Sequence, residues 1–209
     1  MFLKWDEQTI TDFSDKNIAA MYNDGYVFGR PGRGYMNQTR SMRIDLNKFE
    51  LSSENRRILR KTEAIKSEVC DVPYKNYSWK IGKLAKDGTF SANKIKELLT
   101  TKHNFNKLLA YSFNDEIVGY TICFESDDIL HYSYPFYDLK PNTYNLIPNL
   151  GMSMMLNAIL YAKQMNKQYI YLGSAQRPGD TYKIQFKGLE WFDGEKWSED
   201  LEELKGILK

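Results

Sequence analysis

Two apolar runs separated by three polar residues constrain this chain more than any other feature. Leu108-Leu-Ala-Tyr-Ser-Phe113 and Ile117-Val-Gly-Tyr-Thr-Ile-Cys-Phe124 have the length and the aromatic and β-branched content of strands. Asn114-Asp-Glu116 between them is a short turn, so the pair predicts a hairpin. A third strand is expected from Ile129 to Tyr137. Beyond a loop holding Pro141 and Pro148, the apolar positions Met152, Met155, Leu156, Ile159 and Met165 recur at helical spacing and predict a helix from Gly151 to Asn166. Its methionines read as core filler. Tyr169 to Leu172 and Lys183 to Phe192 are expected as two further strands, and Glu199 to Leu208 as a weak helix.

The N-terminal half is punctuated differently. A short helix is expected over 16–24, followed by the glycine-rich turn Gly25-Tyr-Val-Phe-Gly29-Arg30-Pro-Gly-Arg33-Gly34. This turn lacks the Gly-Lys-Ser/Thr ending of a P-loop. Met42 to Leu46 reads as a strand. Ser52 or Ser53 offers an N-cap for a helix from Glu54 to Ser67 with Ile58, Leu59 and Ile65 as its apolar contacts, and Ser91 caps a helix from Ala92 to Thr101.

Composition bounds the class. At 209 residues, 42% hydrophobic and 27% charged, the chain is long and apolar enough for a real core and is not of disordered type. The net charge is only +2, but its distribution is uneven: ten Arg and Lys residues fall between Arg30 and Lys66, and Glu190 to Glu203 is acidic. Such a local basic patch is the footprint of a phosphate contact. Cys70 and Cys123 are far apart without a nearby His, so no metal-ligand spacing exists. Neither a signal-peptide run nor 18 consecutive apolar residues is present, and a reduced cytoplasmic protein with no membrane contact is expected.

The order hairpin, strand, helix, strand, strand resembles the GNAT acyltransferase fold, an α/β (α+β) architecture with a mostly antiparallel, splayed sheet flanked by helices. The resemblance implies one domain over 1–209, with a basic N-terminal elaboration (1–66) and an acyltransferase core (105–192). Enzymes of this fold that use acyl-CoA cradle its pyrophosphate at a helix start. Here that segment is Leu146-Ile-Pro148-Asn149-Leu150-Gly151, where Asn149 stands in place of a glycine and Pro148 removes an amide donor. Asn-Leu-Gly is similar instead to the helix start of the arginyl-tRNA–protein transferases. Around it fall Tyr137-Asp138, Tyr171-Leu172-Gly173 and Lys183-Ile-Gln-Phe-Lys187, each matching an element of that family in order. On the N-terminal side Arg43, Asp45, Phe49, Ser52, Arg56 and Arg57 align with its basic strand and helix. The cysteine cluster of the family is replaced by Tyr35-Met-Asn-Gln-Thr39, and residues 67–105 match nothing in it.

An aminoacyltransferase reaction is implied: a protein or peptide N-terminal amine attacks the ester of a charged tRNA, with no cofactor beyond that co-substrate and no metal. The α-amine has a reference pKa of about 7.7–8.0, so a sizeable fraction is neutral near pH 7 and a strong base is not required. Positioning and an oxyanion donor supply most of what the reaction lacks. Asp138, Gln185 and Tyr171 are the candidate catalytic residues. Arg43, Arg56, Arg57, Arg60, Asn149, Gly151, Lys183 and Lys187 are the candidate tRNA and substrate contacts. Arg56 with Arg60, and Arg57 with Lys61, form two i,i+4 cation rows that read either as a phosphate track or as a solvated face. Arg43 is expected to pair with Asp45. Lys183 and Lys187, placed four apart on one strand, are expected to share a face toward the cleft, with a lysine-protected edge strand as the alternative. His131 reads as a structural histidine. An acyl-CoA-dependent N-acyltransferase and a non-catalytic RNA-binding relative remain as alternatives.

Overall fold

The computed structural model describes residues 3–75, 91–137 and 147–209. Along the chain lie β1 (Asp6–Thr9), α1 (Asp15–Asn23), β2 (Tyr26–Phe28), β3 (Tyr35–Gln38), β4 (Ser41–Asp45), α2 (Ser53–Lys61), β5 (Lys66–Asp71), α3 (Ala92–Thr100), β6 (Lys107–Phe113), β7 (Glu116–Glu125), β8 (Ile129–Tyr137), α4 (Leu150–Gln164), β9 (Tyr169–Ser174), a 3-10 helix (Pro178–Gln185), β10 (Leu189–Phe192), β11 (Trp197–Ser198) and α5 (Leu201–Ile207). The chain divides into two compact units. The first comprises Met1–Ser52, Ser126–His131 and Ala162–Lys209, and the second Ser53–Glu125 and Tyr132–Tyr161.

In the first unit the large sheet runs β11-β10-β4-β9-β8, and a separate three-stranded sheet has the order β1-β3-β2. β4 is antiparallel to both of its neighbours, which sets Arg43 opposite Glu190 on one side and Tyr171 on the other. β8 and β9 are parallel over Ile129–His131 and Tyr169–Tyr171. Met42, Ile44, Phe49, Ile170, Phe186 and Trp191 are buried around these strands.

The expected strand from Lys183 to Phe192 is broken here. Asp180 Oδ2 accepts from Gln176 N at 2.8 Å and Arg177 N at 3.0 Å, capping a 3-10 helix that carries Lys183 and Gln185. Gly188, at φ 81, then turns the chain into β10, and a Cβ there would lie 2.8 Å from the Asp45 carbonyl oxygen. Local capping therefore outweighs the strand-like alternation of Lys183 to Lys187.

In the second unit the order is β8-β7-β6-β5, with β8 entering it at Tyr132. Asn114 and Asp115 both have positive φ, 50° and 62°, the geometry of the tight hairpin turn between β6 and β7. α4 packs on this hairpin, where the buried Tyr111 hydroxyl donates to the Met154 carbonyl at 2.9 Å. Met155 is buried as expected of a core residue and Met154 is buried beside it, whereas Met152 is only half-buried and Met165 is exposed beyond the helix end. α2 is shorter than the expected 54–67 helix. Thr62 Oγ1 bonds back to the Ile58 carbonyl at 2.9 Å and Ile65 N donates to Thr62 O at 3.0 Å, so the chain turns and enters β5 at Lys66. The fold is the expected α/β one, a large and mostly antiparallel sheet flanked by helices.

Candidate functional site

In the first unit, three strands converge on Arg43. Its Nε donates to Glu190 Oε2 at 2.9 Å, and its Nη1 donates to Asn23 Oδ1 at 3.0 Å and Tyr171 Oη at 3.3 Å. The rings of Tyr169 and Trp197 each lie 3.9 Å from the guanidinium carbon. The expected partner Asp45 is not used, because the cross-strand neighbour Glu190 stands directly opposite. Asp45 instead accepts from Asn47 N at 2.9 Å and lies 3.9 Å from Lys48. Tyr171 is fully buried, and burial pushes its phenol up to about 12 against the opposing pull of Arg43. Both residues are therefore placed to hold β4, β9 and β10 together.

Lys183 and Lys187 do not share a face. Lys183 is buried, donates to the Ser174 carbonyl at 3.3 Å and lies 3.6 Å from Asp180; burial lowers its pKa while Asp180 opposes that shift. Lys187 is exposed and pairs with Glu50 at 2.7 Å. Gln185 is exposed, with its side-chain amide donating to the Tyr182 carbonyl at 2.6 Å. His131 is buried with Nδ1 2.9 Å from the Tyr22 hydroxyl, and burial drives its pKa down to about 3, so it is neutral near pH 7 and structural.

In the second unit the start of α4 gathers the matched helix-start residues. The Asn149 carbonyl accepts from Ser153 N at 2.9 Å, and Asn149 has φ 67, the left-handed region that a glycine or an asparagine tolerates. A Cβ at Gly151 would lie 2.5 Å from the Tyr137 hydroxyl, and one at Gly119 would lie 2.9 Å from Tyr137 Cβ. Tyr137 is thus seated between β7 and α4 by two glycines. Asp138 lies outside the described residues. On α2, Arg56 and Arg60 are exposed, while Arg57 Nε donates to Glu54 Oε2 at 2.6 Å, so one of the two expected cation rows is partly neutralised within its own helix. Ser153 also binds the turn that follows α2, since its hydroxyl lies 2.8 Å from that of Thr62 and both are buried.

From sequence, Tyr137 stands only as part of the Tyr137-Asp138 element, without a role of its own; its contact with Gly151 at the α4 start depends on the packing of β8 against α4, which no local sequence signal carries. Among the described residues no three His, Cys, Asp or Glu side chains gather as a metal site requires. No helix there is long and apolar enough to cross a membrane.

Known proteins resemble this chain in fold and in sequence. In fold the chain is similar to L-PGS from Bacillus licheniformis, with a TM-score of 0.50 at 13% identity, over 78% of this chain and 52% of that one. In sequence it is similar to transferases of the kind expected. It is 26% identical over 169 residues to the aspartate/glutamate leucyltransferase of Ruegeria pomeroyi, covering 75% of this chain and 60% of that protein. It is 27% identical over 166 residues to the enzyme of the same name from Vibrio parahaemolyticus, covering 75% of this chain and 69% of that protein. The chain thus spans 60% of the length of the Ruegeria relative. No family model matches the sequence.

Proposed function

We propose that this chain is an aminoacyltransferase that moves an amino acid from aminoacyl-tRNA to the N-terminal α-amine of a protein, in the cytoplasm and without a further cofactor. The observation that carries this reading is the similarity, over 75% of the chain, to two proteins named aspartate/glutamate leucyltransferase. By the same analogy the amino acid is leucine and the acceptor begins with Asp or Glu.

The geometry supports a division of labour. The α4 start, with Asn149 and Gly151, holds the aminoacyl end, and the exposed Arg56 and Arg60 track the tRNA backbone as sequence-independent phosphate contacts. Arg43 and Tyr171 brace the sheet, and Lys183 braces the end of β9 through Ser174. In the reaction the neutral amine attacks the ester carbonyl carbon and the bond to the ribose oxygen breaks. The proton lost by the amine goes to that departing oxygen. Chemistry of this type gains most from holding the two reactants together.

The test is direct. Purified protein incubated with labelled leucyl-tRNA should label peptides beginning with Asp or Glu and not the same peptides beginning with Ala, and RNase pretreatment should prevent labelling. Label arriving from acetyl-CoA would establish the acyl-CoA alternative. Binding of tRNA without any transfer would mark a non-catalytic relative, and either result would overturn the proposal.

A further inference from the structure

Tyr137 ends β8 half-buried, and the space it occupies exists because two side chains are missing. Its Cβ sits against Gly119 of β7, and its hydroxyl sits against Gly151 in the first turn of α4, where any Cβ would lie 2.5 Å from the oxygen. Two glycines on separate elements thus deliver one phenol to one place. That place is the helix end where the amides of Leu150 and Gly151 precede the first intrahelical bond, Ser153 N to Asn149 O, and have no intrahelical acceptor. Phenol and helix start are both donors, so what they suit together is an oxygen acceptor. The phenol is neutral, unlike the arginines of α2, and a neutral donor suits a neutral carbonyl that turns negative only in the transition state.

We propose that Tyr137 is a catalytic residue whose hydroxyl donates a hydrogen bond to the ester carbonyl oxygen as it becomes the oxyanion of aminoacyl transfer. The inference rests on the transferase reading above and deepens it at the same site. Tyr137 keeps its proton throughout: the amine nitrogen bonds to the carbonyl carbon, the oxyanion forms and collapses, and the ribose oxygen leaves with the proton released by the amine. Burial raises the Tyr137 pKa above its ordinary 10, which keeps the donor in its donating form across the working range.

The experiment compares wild type, Tyr137→Phe and a protein carrying 3,5-difluorotyrosine at 137, using leucyl-tRNA and an acidic-start peptide. Loss of one oxyanion donor costs about 100-fold in kcat, so Tyr137→Phe should lose that much with KM for both substrates little changed. The fluorinated phenol is more acidic and preserves the ring, so it should shift the alkaline limb of kcat to lower pH. A Tyr137→Phe variant within about 3-fold of wild-type kcat, or an alkaline limb unmoved by fluorination, overturns the role of Tyr137 and leaves the transferase reading standing. Wild type inactive with every charged tRNA overturns that reading and this inference with it. If Tyr137→Phe fails to fold, the fluorinated protein decides alone.

Discussion

Arg43→Met should be among the most damaging single substitutions in the first unit, and the reason is the carboxylate it leaves behind. Glu190 is 8% exposed, and its Oε2 accepts from Arg43. Removing one member of a buried ion pair costs about 3–5 kcal/mol, because the other charge stays desolvated without its partner. Lys48 stands 3.5 Å from Glu190 Oε1 and shares some of that burden, which points to the lower end of the range. Loss of the stacking on Tyr169 and Trp197 acts the other way, at about 0.5–2 kcal/mol for each cation–π pair. A net loss of about 4–5 kcal/mol is expected, equivalent to a Tm lowered by roughly 8–20 °C for a chain of this size. Urea unfolding of Arg43→Met, Glu190→Gln and the double variant measures it as a cycle, with a coupling of about 1–3 kcal/mol expected between the two positions. Because the pair braces the sheet, kcat measured well below the Tm should change far less than stability. Additive single effects, or an Arg43→Met protein within about 1 kcal/mol of wild type, would refute the reasoning, and an intact fold with abolished transfer would place Arg43 on the substrate instead.

Arg56→Glu combined with Arg60→Glu should weaken tRNA binding and flatten its salt dependence, with the log–log slope falling by about 0.7–0.9 for each phosphate that the helix no longer neutralises; filter binding across a salt series checks this, and an unchanged slope marks a solvated face. Gly188→Ala should destabilise by about 1–2 kcal/mol from the left-handed backbone alone, and by more from the approach to Asp45 O; chemical denaturation reads it. His131 is held neutral when folded, with its pKa near 3 against 6.5 for the free side chain, so the unfolded chain takes up a proton that the folded one refuses. Stability from this group is complete above pH 6.5 and falls as pH drops toward 3, by at most about 1.4 kcal/mol per pH unit, and His131→Phe should remove that slope from unfolding curves measured against pH.

The parts of the fold legible in advance were those with local causes. The hairpin follows from Asn114 and Asp115, which tolerate the positive φ the turn demands, and the start of α3 follows from Ser91, whose hydroxyl accepts from Lys94 N at 3.2 Å. β5 was missed because its first four residues are exposed and carry no apolar alternation, and β3 because Tyr35-Met-Asn-Gln follows directly on a glycine-rich turn. The stretch from Lys183 was misread for the opposite reason: its alternation is real, but Asp180 three residues earlier and Gly188 beyond it dictate the backbone. At the candidate site the motif residues were nameable, and Asn149 and Gly151 do open α4. Their partners were not, since Glu190 lies 147 positions from Arg43 and only the register of β4 against β10 brings them together.

The meeting of Thr62 and Ser153 bears on how readily the second unit would receive the tRNA of the proposed reaction. A hydroxyl in the turn that ends α2 and a hydroxyl of α4 meet inside the core, and either oxygen can serve as the donor. The cations of α2 and the opening turn of α4 are therefore mutually oriented before anything arrives. On the proposed function, the entropy of aligning a backbone-reading surface with an acyl-receiving one is lost once, when the chain folds, and is not lost again in each binding event. An enzyme that must release its spent RNA after every turnover gains from that arrangement, because weak contacts suffice for accurate placement and weak contacts dissociate quickly.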